Sequence, residues 1–139
     1  MNQSKHTICY TYFRIAGIFN PDVVSEMLCL VPEKYWKIGD IRKNGTKYDF
    51  ACWEYGYCKD YDIYVTNQMQ TTITPLMSKI DILKEIREKY NVSFYLEVVP
   101  QIVCDETMPC LAPSLDIMKF CCDTQTEIDI DLYAVSDNS

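Results

Sequence analysis

Residues 35–57 read YWKIGDIRKNGTKYDFACWEYGY, two β-prone runs on either side of Asn44-Gly45. Asn-Gly readily takes the positive φ angles of a two-residue hairpin turn, so Tyr35–Arg42 and Lys47–Tyr57 are expected to pair as antiparallel strands. This is the strongest local signal in the chain, and the other elements follow outward from it. Upstream, residues 7–16 are rich in Ile, Tyr, Thr and Phe, with Ile8, Tyr10 and Tyr12 on one face and Cys9, Thr11, Phe13 and Ile15 on the other. Apolar groups on both faces predict a central strand, which Gly17 ends. Asn20-Pro21 then supplies a capping side chain and a proline at the first helical position, for a helix to about Leu30 with Val23, Val24, Met27 and Leu28 inward.

Downstream, Met69, Ile73, Leu76, Met77, Ile80, Leu83 and Ile86 recur at helical three-four spacing across residues 66–90. Pro75 interrupts the pattern, by a kink or by a restart with Thr74 as cap. Residues 91–103 read as a strand with Val92, Phe94, Leu96 and Val98 on one face. A loop containing Pro109 and Pro113 leads to a short helix from about Ser114 to Cys122. The last strand, residues 127–135, alternates throughout: Ile128, Ile130, Leu132 and Ala134 share one face, and Asp129, Asp131 and Tyr133 the other. The order βαββαβαβ predicts an α+β fold. Its first six elements match a ferredoxin-like split βαβ unit (βαββαβ), extended by a C-terminal αβ unit.

A chain of 139 residues, 48% hydrophobic and 24% charged, has material for one core, so residues 1–139 are expected to form a single domain. No window approaches the roughly 20 apolar residues of a membrane helix, and the N-terminus lacks an export pattern. Without an export signal, the eight cysteines are expected to be reduced thiols in a cytoplasmic protein. The net charge of -7 is unevenly placed, because residues 91–139 carry Lys119 against nine carboxylates. That field repels nucleic acid and anionic membranes and attracts basic proteins, unless it serves solubility alone.

Several pieces fall together in order and spacing: the first strand with Phe13 and Gly17, Asn20-Pro21, Trp36-Lys37-Ile38-Gly39-Asp40, Trp53-Glu54, and Ile128-Asp129-Ile130-Asp131-Leu132-Tyr133. In these the chain resembles, over nearly its whole length, the uncharacterised bacterial family called domain of unknown function 4279. The resemblance implies no activity, although some small bacterial proteins of this kind look like immunity proteins of toxin systems. The cysteine count and the Pro109/Pro113 loop depart from the usual family pattern.

His6 is the only histidine and lies near the N-terminus, so a Cys-His or Ser-His nucleophile pair is not expected. Cys52/Cys58 and Cys104/Cys110 each span five intervening residues, wider than a zinc knuckle, and structural thiols are favoured over a metal site. No cofactor, metal or catalytic residue is expected. Asp129 and Asp131, about 7 Å apart on one strand face, together with Tyr133, Glu127 and Asp123, are the candidate partner-binding residues. An aromatic ligand pocket around Trp36, Asp40, Trp53 and Tyr55, with Tyr48 and Tyr57 beside them, is the alternative. The expected function is a non-catalytic protein-binding module, such as an immunity or inhibitor protein, that covers a basic partner with its acidic C-terminal third. A small-ligand sensor is the second possibility, and an enzyme using Asp129/Asp131 with a metal the third.

Overall fold

The computed structural model describes residues 6–60 and 63–135. In chain order the elements are β1 (Ile8–Ile18), α1 (Pro21–Leu28), β2 (Lys34–Trp36), β3 (Ala51–Asp60), α2 (Val65–Ile73), α3 (Ile80–Lys89), β4 (Asn91–Val103), α4 (Leu115–Thr124), β5 (Thr126–Ile130) and β6 (Tyr133–Val135). A 3-10 segment, Thr74–Lys79, joins α2 to α3. The fold is α+β with one mixed sheet in the order β2-β3-β1-β4-β5, and β6 also pairs with β4. Pairs β1/β3, β1/β4 and β2/β3 are antiparallel, while β4/β5 and β4/β6 are parallel. No helix among the described residues is long and apolar enough to cross a membrane.

Strand alternation sorts the core. Cys9, Thr11, Phe13 and Ile15 of β1 are buried, facing Val24, Leu28, Met69, Leu83, Ile86 and Phe120 of the helices. Phe13 lies 5.6 Å from Phe94 and 6.2 Å from Phe120, centroid to centroid. Each such fully buried side chain contributes about 1.5–3 kcal/mol of transfer free energy. Polar groups fasten α2 to the same surface: Gln68 Nε2 donates to the Cys9 carbonyl at 2.6 Å, and the Thr72 hydroxyl donates to the Gly56 carbonyl at 2.7 Å. α1 begins where Asn20 accepts from the Asp22 amide at 3.0 Å with Pro21 at its first position. Pro75, having no N–H to donate to the helix, marks the change from α2 to the 3-10 segment.

Three expectations are corrected. The hairpin around Asn44-Gly45 closes with three residues at its tip, not two. The Arg42 amide donates to the Thr46 carbonyl at 2.7 Å, and Gly45 alone takes a left-handed φ, of 86°. Its arms are mostly irregular; regular pairing is confined to residues 34–36 with 52–54 and the Ile41–Lys47 bridge. Secondly, the strand over 127–135 is two strands on one line, with the same offset from β4 on both sides of Asp131-Leu132. The ladder breaks because Pro100 on β4 has no N–H to offer the Asp131 carbonyl. Leu132, placed inward by the alternation, is 57% exposed. Thirdly, the element patterns place Cys9, Cys29, Cys121 and Cys122 at core-like positions, but Cys29 and Cys122 are exposed, whereas Cys9, Cys52 and Cys121 are buried; all eight cysteines are free.

Candidate functional site

The helices pack on one side of the sheet, and the residues that alternate away from them form the other. On β1 these are Tyr10, Tyr12 and Arg14. Register then aligns them in rows across the strands. One row runs Lys34–Glu54–Arg14–Tyr95–Glu127, and the next runs Tyr12–Glu97–Asp129. A bulge in β3 completes the second row: pairing shifts between Thr11 and Phe13, and Gly56 turns at φ 80° against the Thr72 carbonyl. The following residue, Tyr57, is thereby brought onto Tyr12, ring over ring at 4.5 Å and 6°. Tyr10 stacks beside both, at 6.2 Å and 6.3 Å.

Beneath these rings lie groups that a solvated sheet face would not bury. Glu54 is 4% exposed, Glu97 is 6% exposed and Cys52 is fully buried. Tyr57 Oη donates to Glu54 Oε1 at 2.8 Å, and the Cys52 thiol approaches Glu54 Oε2 at 3.6 Å. Burial, then a hydrogen bond and charge from Asp129, push the Glu97 carboxyl up to about 8, with Arg14 pulling weakly the other way and Asp131 adding to the rise. This shift favours the protonated form of Glu97 at neutral pH. Burial likewise lifts the Tyr12 phenol, helped by Glu54 and Glu97, and the Tyr57 phenol, helped by its bond to Glu54. Burial pushes the Cys52 thiol up to about 12, so it stays protonated and unreactive.

Of the acidic residues singled out in the sequence, Glu127 and Asp129 stand on this face beside Tyr95 and Glu97. Asp131 follows them, and its carboxylate accepts from Tyr133 Oη at 3.0 Å. Asp123 is elsewhere, on α4, where it accepts from Lys119 Nζ at 2.9 Å. The residues of the expected aromatic pocket do not come together as one site. Trp36 pairs across to Cys52 on the open face, whereas Trp53 is fully buried on the helix side, with Nε1 donating to Ser25 Oγ at 2.9 Å and Tyr55 stacked on it. Trp36 instead stacks on Tyr48 at 4.4 Å and lies under Lys34 and Arg14. Asp40 accepts from the Lys37 amide at 2.8 Å and holds a turn.

The described residues contain no cluster of three or more His, Cys, Asp or Glu that could hold a metal ion. A cavity of about 620 Å³ opens away from the candidate residues, lined by His6, Thr7, Asp105 and Glu106 among others. His6 Nδ1 and Glu106 Oε1 are 2.9 Å apart there.

Sequence reasoning passed over Tyr12, Arg14, Glu54 and Glu97 as site residues, and it placed Tyr57 in a pocket with Trp36 and Trp53, whereas its ring lies on Tyr12. Two signals were present: Arg14 continues the Tyr10/Tyr12 face of a strand read as central, and Glu97 is a lone carboxyl in the apolar run Phe94–Val99. Both mark charge where burial is expected.

The family model described as Domain of unknown function (DUF4279) matches residues 6–135. No curated protein and no solved structure matches the chain.

Proposed function

We propose that this chain, which belongs to the DUF4279 family, is a non-catalytic binding module that docks a basic protein segment on the helix-free face of its sheet. The observation that carries this reading is the gathering of Glu127, Asp129 and Asp131 along one margin of a face floored by Tyr10, Tyr12 and Tyr57. Exposed carboxylates attract a cationic partner from a distance and raise its association rate. Tyrosines then supply rigid contact area at low entropic cost. In an immunity or inhibitor role, in the cytoplasm, the basic partner is a toxin or another effector. The strand order β4-β1-β3-β2, antiparallel at every step, supports the ferredoxin-like split βαβ reading of the scaffold, with α4 and β5 appended.

The test uses hexa-arginine and hexa-glutamate peptides on the immobilised protein, at several ionic strengths. Hexa-arginine is expected to associate, more slowly as salt rises, and about tenfold more slowly with the E127Q/D129N/D131N variant. Equal binding of hexa-glutamate, or unchanged rates and salt slope in the variant, overturns the proposal.

A further inference from the structure

Glu97 occupies the middle of the row Tyr12–Glu97–Asp129, 6% exposed, in hydrogen-bond contact with the Asp129 carboxyl. No N–H or hydroxyl of the described residues donates to it. The groups that act on it are Arg14 from β1 and Asp129 and Asp131 from β5 and the residues after it; Tyr12 of β1 pairs with it, and Glu54 and Tyr57 of β3 adjoin Tyr12. The cation among these, Arg14, also faces Cys52 and Glu54. Tyr133 is held to Asp131. Two carboxyls in contact keep a proton between them unless a cation compensates both charges.

Resting on the docking reading, we propose that the Glu97–Asp129 pair is the anchor for one arginine side chain of the basic partner, whose guanidinium displaces the shared proton. The exchange balances: Glu97 gives its proton to solvent, and the resulting carboxylate and that of Asp129 accept hydrogen bonds from the entering guanidinium. The only bond broken is the carboxyl O–H, and its proton is taken up by water or buffer. Three features favour guanidinium over ammonium. Its planar fork can bridge two carboxylates, it is weakly hydrated enough to be buried, and its flat face matches the Tyr12 ring beside the pair. The stacked Tyr12–Tyr57 pair, at 4.5 Å, offers the electron-rich surface that a cation also prefers.

Binding then depends on pH with a definite sign. Glu97 titrates at about 8 in the free protein, and the bound guanidinium lowers that value, so affinity for arginine rises with pH up to about 8 and levels off above it. The rise is at most about tenfold per pH unit, the limit for one released proton.

The experiment is calorimetric titration of the full chain with hexa-arginine and hexa-lysine, across that pH range and in two buffers of different ionisation heat. For the wild type with hexa-arginine, release of up to one proton and affinity that climbs with pH are expected. E97Q is expected to release none, to lose the pH slope and to bind about tenfold more weakly at the plateau. A carbon NMR titration of the Glu97 carboxyl in the wild type supplies a second measurement, needing no variant: its midpoint should fall when hexa-arginine is added. Binding without proton release, an unmoved Glu97 midpoint, or a pH slope that survives in E97Q overturns the anchor while leaving the docking face standing. Equal affinity and proton release with hexa-lysine overturns the choice of guanidinium. Absence of any binding by hexa-arginine overturns both readings.

Discussion

Glu97 illustrates how one buried carboxyl records its surroundings. Its ordinary value is 4.5, and burial with Asp129 alongside moves it to about 8 in the folded protein. The unfolded chain therefore loses this proton near 4.5 while the folded chain keeps it to about 8. Between those values the folded state binds more protons, so this residue's contribution to stability falls as pH rises through the window and is constant above it. E97Q is expected to erase the dependence. The stability of the variant relative to wild type should increase by up to about 1.4 kcal/mol per pH unit inside the window. Urea unfolding of both proteins across it is the check, and parallel stability curves would show that Glu97 ionises as freely folded as unfolded. Tyr57 makes the complementary case. Y57F keeps the ring stack but strips the hydroxyl donor from buried Glu54, and a loss of about 1 kcal/mol or more is expected in the same unfolding assay.

At the scale of the element, glycine positions separate strain from crowding. Gly45, at φ 86°, has nothing within 4 Å of where a Cβ would stand, so Gly45→Val should cost about 1 kcal/mol or more through backbone strain alone. Gly56, at φ 80°, would place a Cβ 2.9 Å from the Thr72 carbonyl oxygen. Gly56→Ala should therefore cost more than Gly45→Val, on the order of 1–3 kcal/mol, because strain adds to a contact that α2 cannot relieve. Comparable losses at the two sites would show that the bulge can shift. These elements also mark how far the sequence was legible. β4 was read to its observed bounds and β1 nearly so, because alternation and flanking turns act locally. Asn44-Gly45 announced a turn, but its third tip residue depends on how the arms are held, by Tyr48 and Asp40 among others. The gap at Asp131-Leu132 was not legible from that strand, since its cause, Pro100, stands on the neighbouring one. The site was harder still. Glu127, Asp129 and Asp131 could be found from local alternation, whereas the meeting of Tyr12, Tyr57 and Glu97 depends on the order β3-β1-β4 and on a bulge.

Across the whole molecule, the C-terminal excess of acid becomes a spatial one. Parallel pairing of β5 with β4 sets Glu127 and Asp129 beside a strand that already carries Glu97, and Asp131 follows in the same line. Exposed like charges on one face repel, so this margin is held in place chiefly by the core behind it, with the Tyr133–Asp131 hydrogen bond as a local contact. The core, not covalent links, should also hold the fold. All eight cysteines are free, and thiol titration of denatured protein prepared with thiols blocked at lysis should find eight; two or more disulfides would contradict this. Repulsion at the margin yields the last prediction. The screening length is about 10 Å at 0.1 M and shortens as salt is added, so added salt weakens the repulsion among these exposed charges and should stabilise the wild type. Replacing Asp129 and Asp131 by Asn removes two of the crowded charges but none of the buried apolar surface. The double variant should be as stable as wild type or more so at low ionic strength, by less than about 1 kcal/mol, with a flatter rise in melting temperature as salt is added. Thermal unfolding of both proteins over a salt series measures it. A variant that melts well below wild type would mean that these carboxylates accept hydrogen bonds on which the fold depends, and the acidic margin would then be structural rather than a surface kept open for a partner.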